Sequence, residues 1–126
     1  MRVTAEREGF TLPPLDLEVN NELPLARGLG SSATAIVAGI TLASLVCDRQ
    51  LSAETLLRYA AEMEGHADNV AAAYLGGLVI SCVKPDGSVL AVKRSWPSEL
   101  KVVVVSPEAF LKTAETRVVL PPNVPR

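Results

Sequence analysis

Residues 24–35 read Pro24-Leu25-Ala26-Arg27-Gly28-Leu29-Gly30-Ser31-Ser32-Ala33-Thr34-Ala35. Gly28 and Gly30 can take positive φ and let the backbone come close to a ligand. Ser31 and Ser32 add hydroxyls next to them. From Ser32 to Cys47 the chain is rich in Ala, Ile, Val and Leu and has no proline. That composition predicts a helix packed on most sides, capped by Ser31 or Ser32. A helix starting here aims its free N–H groups and about half a positive charge back at the glycines. Loop and helix together form a cradle suited to phosphate. A capped helix after a tight turn would need no ligand, and both readings fit these twelve residues taken alone.

Outward from the loop, Leu15–Val19 alternates apolar and acidic residues, which predicts a half-exposed strand. Ser52 suits the cap of a second helix whose apolar face is Leu56, Leu57, Ala60 and Ala61, with Gly65 as its stop. His66–Leu75 predicts a further short helix entered through Asp68 and Asn69 and ended by Gly76-Gly77. Leu78–Val83 and Val89–Val92 flank Pro85-Asp86-Gly87-Ser88 and predict a hairpin. Leu100–Val105 is β-branched and predicts a central strand, and Pro121–Arg126 predicts a loop. Strand, helices and then strands make the expected class α+β, with strands packed against helices.

The bulk composition closes off several functions. The 126 residues carry a formal charge of −2 and no basic block, so nucleic acid is not an expected partner. The uncharged stretch Gly28–Cys47 contains too many glycines and hydroxyls for a membrane span, and Met1–Phe10 is too charged for a signal peptide. Cys47 and Cys82 form no CxxC pair and there is one histidine, so a zinc site is not expected. Two buried, reduced thiols in a cytoplasmic protein is the expectation.

Two other glycine-loop chemistries fail on context. Gly28-x-Gly30-x-x-Ala33 fits a dinucleotide fingerprint, but that motif needs a strand running straight into the first glycine, and eight residues separate Val19 from Gly28. A Walker A loop needs a lysine that this segment lacks.

Pro24–Ala33 instead resembles the PxxxGLGSSA motif of the GHMP kinases. Glu62-Met-Glu64-Gly-His66-Ala-Asp68-Asn69-Val70, followed by Gly76-Gly77, resembles the homoserine kinases within that group. So does Thr113-Ala-Glu-Thr-Arg117 with the Val-Val-Leu-Pro after it. The three motifs stand in the family's order across nearly the whole chain.

The resemblance implies a partial GHMP-kinase fold, the ribosomal protein S5 domain 2-like N-terminal half, over residues 1–126, with the phosphate loop at 24–35. It implies transfer of the ATP γ-phosphate to the side-chain hydroxyl of L-homoserine, with ATP and Mg²⁺ as cofactors and threonine biosynthesis as the context. Another GHMP small-molecule kinase and a non-catalytic nucleotide-binding remnant stand as the alternatives. By carry-over, residues 24–33 bind ATP, and Ser32 with Glu62 or Glu64 meets the metal. Glu64, His66, Asp68, Asn69, Thr113 and Arg117 line the amino-acid site. Asn69 lies near the reacting hydroxyl, and Arg117 suits the substrate carboxylate as a bidentate partner. No general base is assigned, since phosphoryl transfer rests largely on positioning and charge neutralisation; Asp68 is the one candidate. The resemblance also implies a homodimer. Against the family's pattern, the opening PASSANLGPGFD-like motif and the C-terminal domain are expected to be absent.

Overall fold

The computed structural model describes residues 1–105. Helix α1 spans Arg2–Glu8, α2 Ser31–Val46, α3 Ala53–Glu64 and α4 Asp68–Leu75; strands β1, Leu78–Val83, and β2, Val89–Arg94, come after them. The α+β class is as expected, and the loop-to-α2 junction falls where the glycines put it.

The core forms where three helices meet. Ala33, Val37 and Ile40 of α2 pack with Leu56, Tyr59, Ala60 and Ala61 of α3 and Val70 of α4. Ile40 and Val70 lose essentially all contact with solvent, and burying one such side chain stabilises by roughly 1.5–3 kcal/mol. Small residues let the helices approach: Ala33, Ala60 and Ala71 are fully buried. Ser52 caps α3 as expected, its hydroxyl accepting from the Thr55 N–H at 3.1 Å. Gly65 ends α3 with φ +85°, a left-handed conformation that glycine takes without a Cβ penalty.

The hairpin β1–β2 is antiparallel, with Ile80 opposite Val92 and Val83 opposite Val89. Its turn closes as the Asp86-Gly87 chemistry requires. The Asp86 carboxylate accepts from the Ser88 N–H at 2.9 Å and from its hydroxyl at 2.6 Å, while Gly87 sits at φ +80°. One hairpin face meets α3 and α4. Lys93 joins the two layers by donating to the Leu75 carbonyl, the last turn of α4, at 2.6 Å.

Several expectations are corrected. Leu15–Val19 forms no strand and pairs with nothing among the described residues, and Leu100–Val105 likewise forms no strand. Both runs are exposed along their length; alternation and β-branching cannot make a strand where no neighbour offers its backbone groups. The cap of α2 is neither Ser31 nor Ser32. Gly30 takes that position at φ +74° with no side-chain cap, and Thr34 returns a hydroxyl bond to the Gly30 carbonyl at 3.0 Å. Nor is α2 packed on most sides, since Ala35, Ala38, Leu42, Leu45 and Val46 face solvent. The short fourth helix begins at Asp68 rather than His66. Cys47 is half-buried, and Cys82 is exposed because the strand period turns it to the outer face.

Helix α1 was not foreseen. Its Thr4 and Ala5 are buried, and a Cβ at Gly39 of α2 would meet the Met1 nitrogen at 3.4 Å. Long-range contacts fasten it to α3. Arg7 pairs with Glu62 at 2.5 Å, and the Tyr59 hydroxyl donates to Glu8 at 2.6 Å. The Arg7 guanidinium also lies 4.9 Å from the centre of the Tyr59 ring, a cation–π distance.

Candidate functional site

The site forms where the loop before α2 meets the turn between α3 and α4. Asn21 pins the approach: its side-chain amide donates to the Leu23 carbonyl at 3.0 Å, and its oxygen accepts from the Leu23 N–H at 3.1 Å. Pro24 to Leu29 then run through tight turns. Three residues there have positive φ: Ala26 at 55°, Gly28 at 72° and Gly30 at 74°. For Ala26 that conformation is strained; the glycines adopt it freely. Gly30 hands the chain to α2, whose opening N–H groups lack intrahelical partners.

Glu64 is the last residue of α3, and Gly65 turns the chain at that point. This turn brings the second motif back across the loop. Ser32 donates its hydroxyl to Glu64 Oε2 at 2.8 Å. Glu64 Oε1 lies 4.0 Å from His66 Nε2. His66 Nδ1 lies against the Asp68 carboxylate without hydrogen-bond alignment. Asp68 in turn accepts from the Asn69 N–H at 2.9 Å. Ser32, Glu64, His66 and Asp68 therefore form a polar chain linking the two motifs.

Asn69 completes the junction. A Cβ placed on Gly30 would lie 3.9 Å from the Asn69 Cβ. Gly28, Leu29, Gly30, Thr34, Asn69, Ala72 and Ala73 enclose a cleft of about 360 Å³, within the size range of small-molecule sites. Its loop wall offers backbone N–H groups and a helix N-terminus, and its opposite wall offers the Asn69 amide. This arrangement suits an anion on one side and a polar group on the other. A larger cleft of about 450 Å³, beside Glu8, Phe10 and Asp48–Leu51, shares no residue with either motif.

Glu62 and Glu64 separate here. Glu62 turns away to Arg7 on α1, while Glu64 reaches Ser32. A hydroxyl and a carboxylate side by side form an all-oxygen donor pair, which suits Mg²⁺ held by few protein ligands. Among the described residues, no three His, Cys, Asp or Glu side chains converge as a metal cage. No described helix is long and apolar enough to cross a membrane. Thr113 and Arg117 lie outside the described residues.

Sequence reasoning omitted Ala72 and Ala73 from the site, and it placed Thr34 inside the phosphate loop at 24–35 without giving it a role. Thr34 had a readable signal: it stands four residues after Gly30, within reach of that carbonyl. Ala72 and Ala73 had none, for alanine carries no chemistry and lines the cleft only because α4 packs there.

Known proteins resemble the chain strongly. Residues 1–77 match the GHMP kinases N terminal domain. The homoserine kinase of Deinococcus radiodurans is 45% identical over 121 residues, covering 96% of this chain and 39% of its own length. That of Carboxydothermus hydrogenoformans is 48% identical over 120 residues, covering 95% and 39%. That of Solibacter usitatus is 39% identical over 122 residues, covering 97% and 40%. The chain thus spans 39–40% of the length of these relatives. With the glycine loop, the helix behind it and the acidic turn across from it all falling within or beside the matched stretch, the chain belongs to the GHMP kinase family and residues 1–77 carry its N-terminal domain.

Proposed function

We propose that the chain is the nucleotide-loop portion of a homoserine kinase, an ATP-dependent phosphotransferase that phosphorylates the side-chain hydroxyl of L-homoserine. The observation carrying this reading is the 2.8 Å bond from Ser32 to Glu64, which joins the loop to the second motif. Three homoserine kinases at 39–48% identity supply the substrate.

In this reading residues 24–33 cradle the ATP phosphates with backbone N–H groups and the N-terminus of α2. Ser32 and Glu64 would hold Mg²⁺, which neutralises phosphate charge when bound. Glu62 is left out of that pair because Arg7 engages it. His66, Asp68 and Asn69 face the amino acid, and Thr113 and Arg117 join them by resemblance alone. In the transfer the homoserine hydroxyl oxygen bonds to the γ-phosphorus, the bond to the β,γ-bridging oxygen breaks, and the hydroxyl proton is released. The chain's residues act mainly by positioning and neutralising charge. A cytoplasmic location and a homodimer belong to the same proposal.

Two measurements test it. Homoserine-dependent ADP release from Mg-ATP is expected of the kinase, and its absence from an assembly containing all the kinase segments would reject the substrate. In Mg-ATP titrations of the chain, Ser32→Ala and Glu64→Gln should each weaken binding about tenfold, equivalent to ~1.4 kcal/mol. Glu62→Gln should change it by less than about twofold. An equal loss at Glu62, with helicity retained, would overturn the choice of Glu64.

A further inference from the structure

Helices α2 and α3 begin differently. At α3 the Ser52 hydroxyl accepts from the Thr55 N–H at 3.1 Å, and Glu54 stands in the first turn. Cap and carboxylate there satisfy a free donor and offset the positive end of the helix. Helix α2 has neither: Gly30 brings no side-chain cap, and the first turn holds no acid. The Ser32 hydroxyl goes to Glu64 instead. The opening N–H groups of α2 are thus left to whatever occupies the cleft.

An uncapped start entered through a glycine at φ +74° needs another restraint. Thr34 supplies one. Its N–H donates to the Gly30 carbonyl at 2.9 Å, as the helix requires, and its hydroxyl donates to the same oxygen at 3.0 Å. A trans peptide is planar, so its N–H points opposite to its C=O. Gripping the Gly30 carbonyl from the helix side therefore turns the Ser31 N–H outward, away from the helix body. A capping side chain would fix this turn by occupying an N–H. The Thr34 hydroxyl fixes it through the carbonyl and leaves the donors free. Thr34 also stands on the wall of the cleft, with Gly28, Gly30 and Asn69.

We infer that Thr34 is a positioning residue of the phosphate loop: its hydroxyl holds the Gly30–Ser31 peptide so that the N–H groups opening α2 face the phosphates. The inference rests on the kinase reading. Thr34 is exposed, so replacing it disturbs no core packing.

The test titrates the chain with Mg-ATP and with Mg-tripolyphosphate, which carries phosphates without a nucleoside. Thr34→Val keeps the branched shape and removes the hydroxyl, whereas Thr34→Ser keeps the hydroxyl. Thr34→Val is expected to weaken both probes by the same factor, about fivefold, the net worth of one hydrogen bond. Thr34→Ser should stay within about twofold of wild type, with helicity and urea midpoint equal in all three proteins. Wild-type affinity in Thr34→Val would overturn the positioning role and leave the kinase reading standing. Equal losses in Thr34→Val and Thr34→Ser would assign the effect to the methyl group and overturn it too. So would a urea midpoint that falls together with the affinity, since the hydroxyl would then be holding the fold and not the loop. A loss confined to Mg-ATP, or a wild-type chain that takes Mg-ATP but not tripolyphosphate, would place the recognised group on the nucleoside, with the same consequence. A wild-type chain that binds neither probe would instead reject the kinase reading on which the inference rests.

Discussion

Leu78–Val83 and Leu100–Val105 have nearly the same character: six residues, mostly aliphatic, entered from polar or turn-forming chain. The first is a strand and the second is not. The difference lies in the turn beside each run. After Val83 the Asp86-Gly87 turn folds Val89–Arg94 straight back into register. Before the second run the chain makes a turn of its own, with Leu100 N–H donating to the Pro97 carbonyl at 3.1 Å and the Trp96 indole donating to the Leu100 carbonyl at 2.7 Å. Beyond that turn Lys101–Val105 runs on with Val103 83% exposed. A helix satisfies its backbone within itself, whereas a strand is completed only by a neighbour. That is why the helical half is in place while two strand-like runs stand open.

The contrast can be broken by mutation. Ile40→Ala removes a fully buried side chain from the helix junction and should cost about 2–5 kcal/mol in urea unfolding. Val103→Ala should stay within about 0.5 kcal/mol of wild type. A comparable cost at both sites would show that the Val run is buried in solution. Proline sharpens the comparison at the level of the backbone. The Lys84 N–H donates to the Ser88 carbonyl at 2.8 Å, and antiparallel pairs alternate, so Ile80 and Val92 are also a hydrogen-bonded pair. Ile80→Pro deletes that donor and should cost about 1–3 kcal/mol, with faster amide exchange across the hairpin. Val103→Pro, in a segment without a ladder, should leave exchange elsewhere unchanged.

Apart from the α2 cap, local chemistry was legible in the sequence, and long-range geometry was not. Gly28 and Gly30, the Ser52 cap, the Gly65 stop and the Asp86-Gly87 turn each act within a few residues, and each stands where it was read. The choice between Glu62 and Glu64 could not be read. Two residues apart on a helix they point to nearly opposite sides, and only the docking of α3 against α2 decides which side meets Ser32. Helix α1 was hidden for the same reason. Seven residues are too few to hold a helix by propensity, and the contacts that fasten it come from α3, more than fifty positions away. The runs at Leu15–Val19 and Leu100–Val105 carry a strand signal without, among the described residues, the neighbour that would make it a strand.

The smallest effect tests whether α1 belongs to the packed half or to the open flanks. Tyr59 is buried in α3 and donates to Glu8 at 2.6 Å. That hydrogen bond, then burial, then the Glu8 charge raise the phenol above its usual 10.0, while Arg58 and Arg7 pull it down by less. The folded state therefore holds the Tyr59 proton at a pH where the unfolded chain has lost it. Its stabilising contribution is complete below pH 10 and disappears as pH climbs through the raised folded value. Tyr59→Phe keeps the ring, and its cation–π contacts with Arg7 and Arg58, but loses the hydroxyl. It should cost about 1 kcal/mol at pH 8, and the gap to wild type should narrow above pH 10. Equal stability of the two proteins at pH 8, with Gly39 and α1 amides exchanging as freely as those of the Val run, would move α1 to the open side of the comparison.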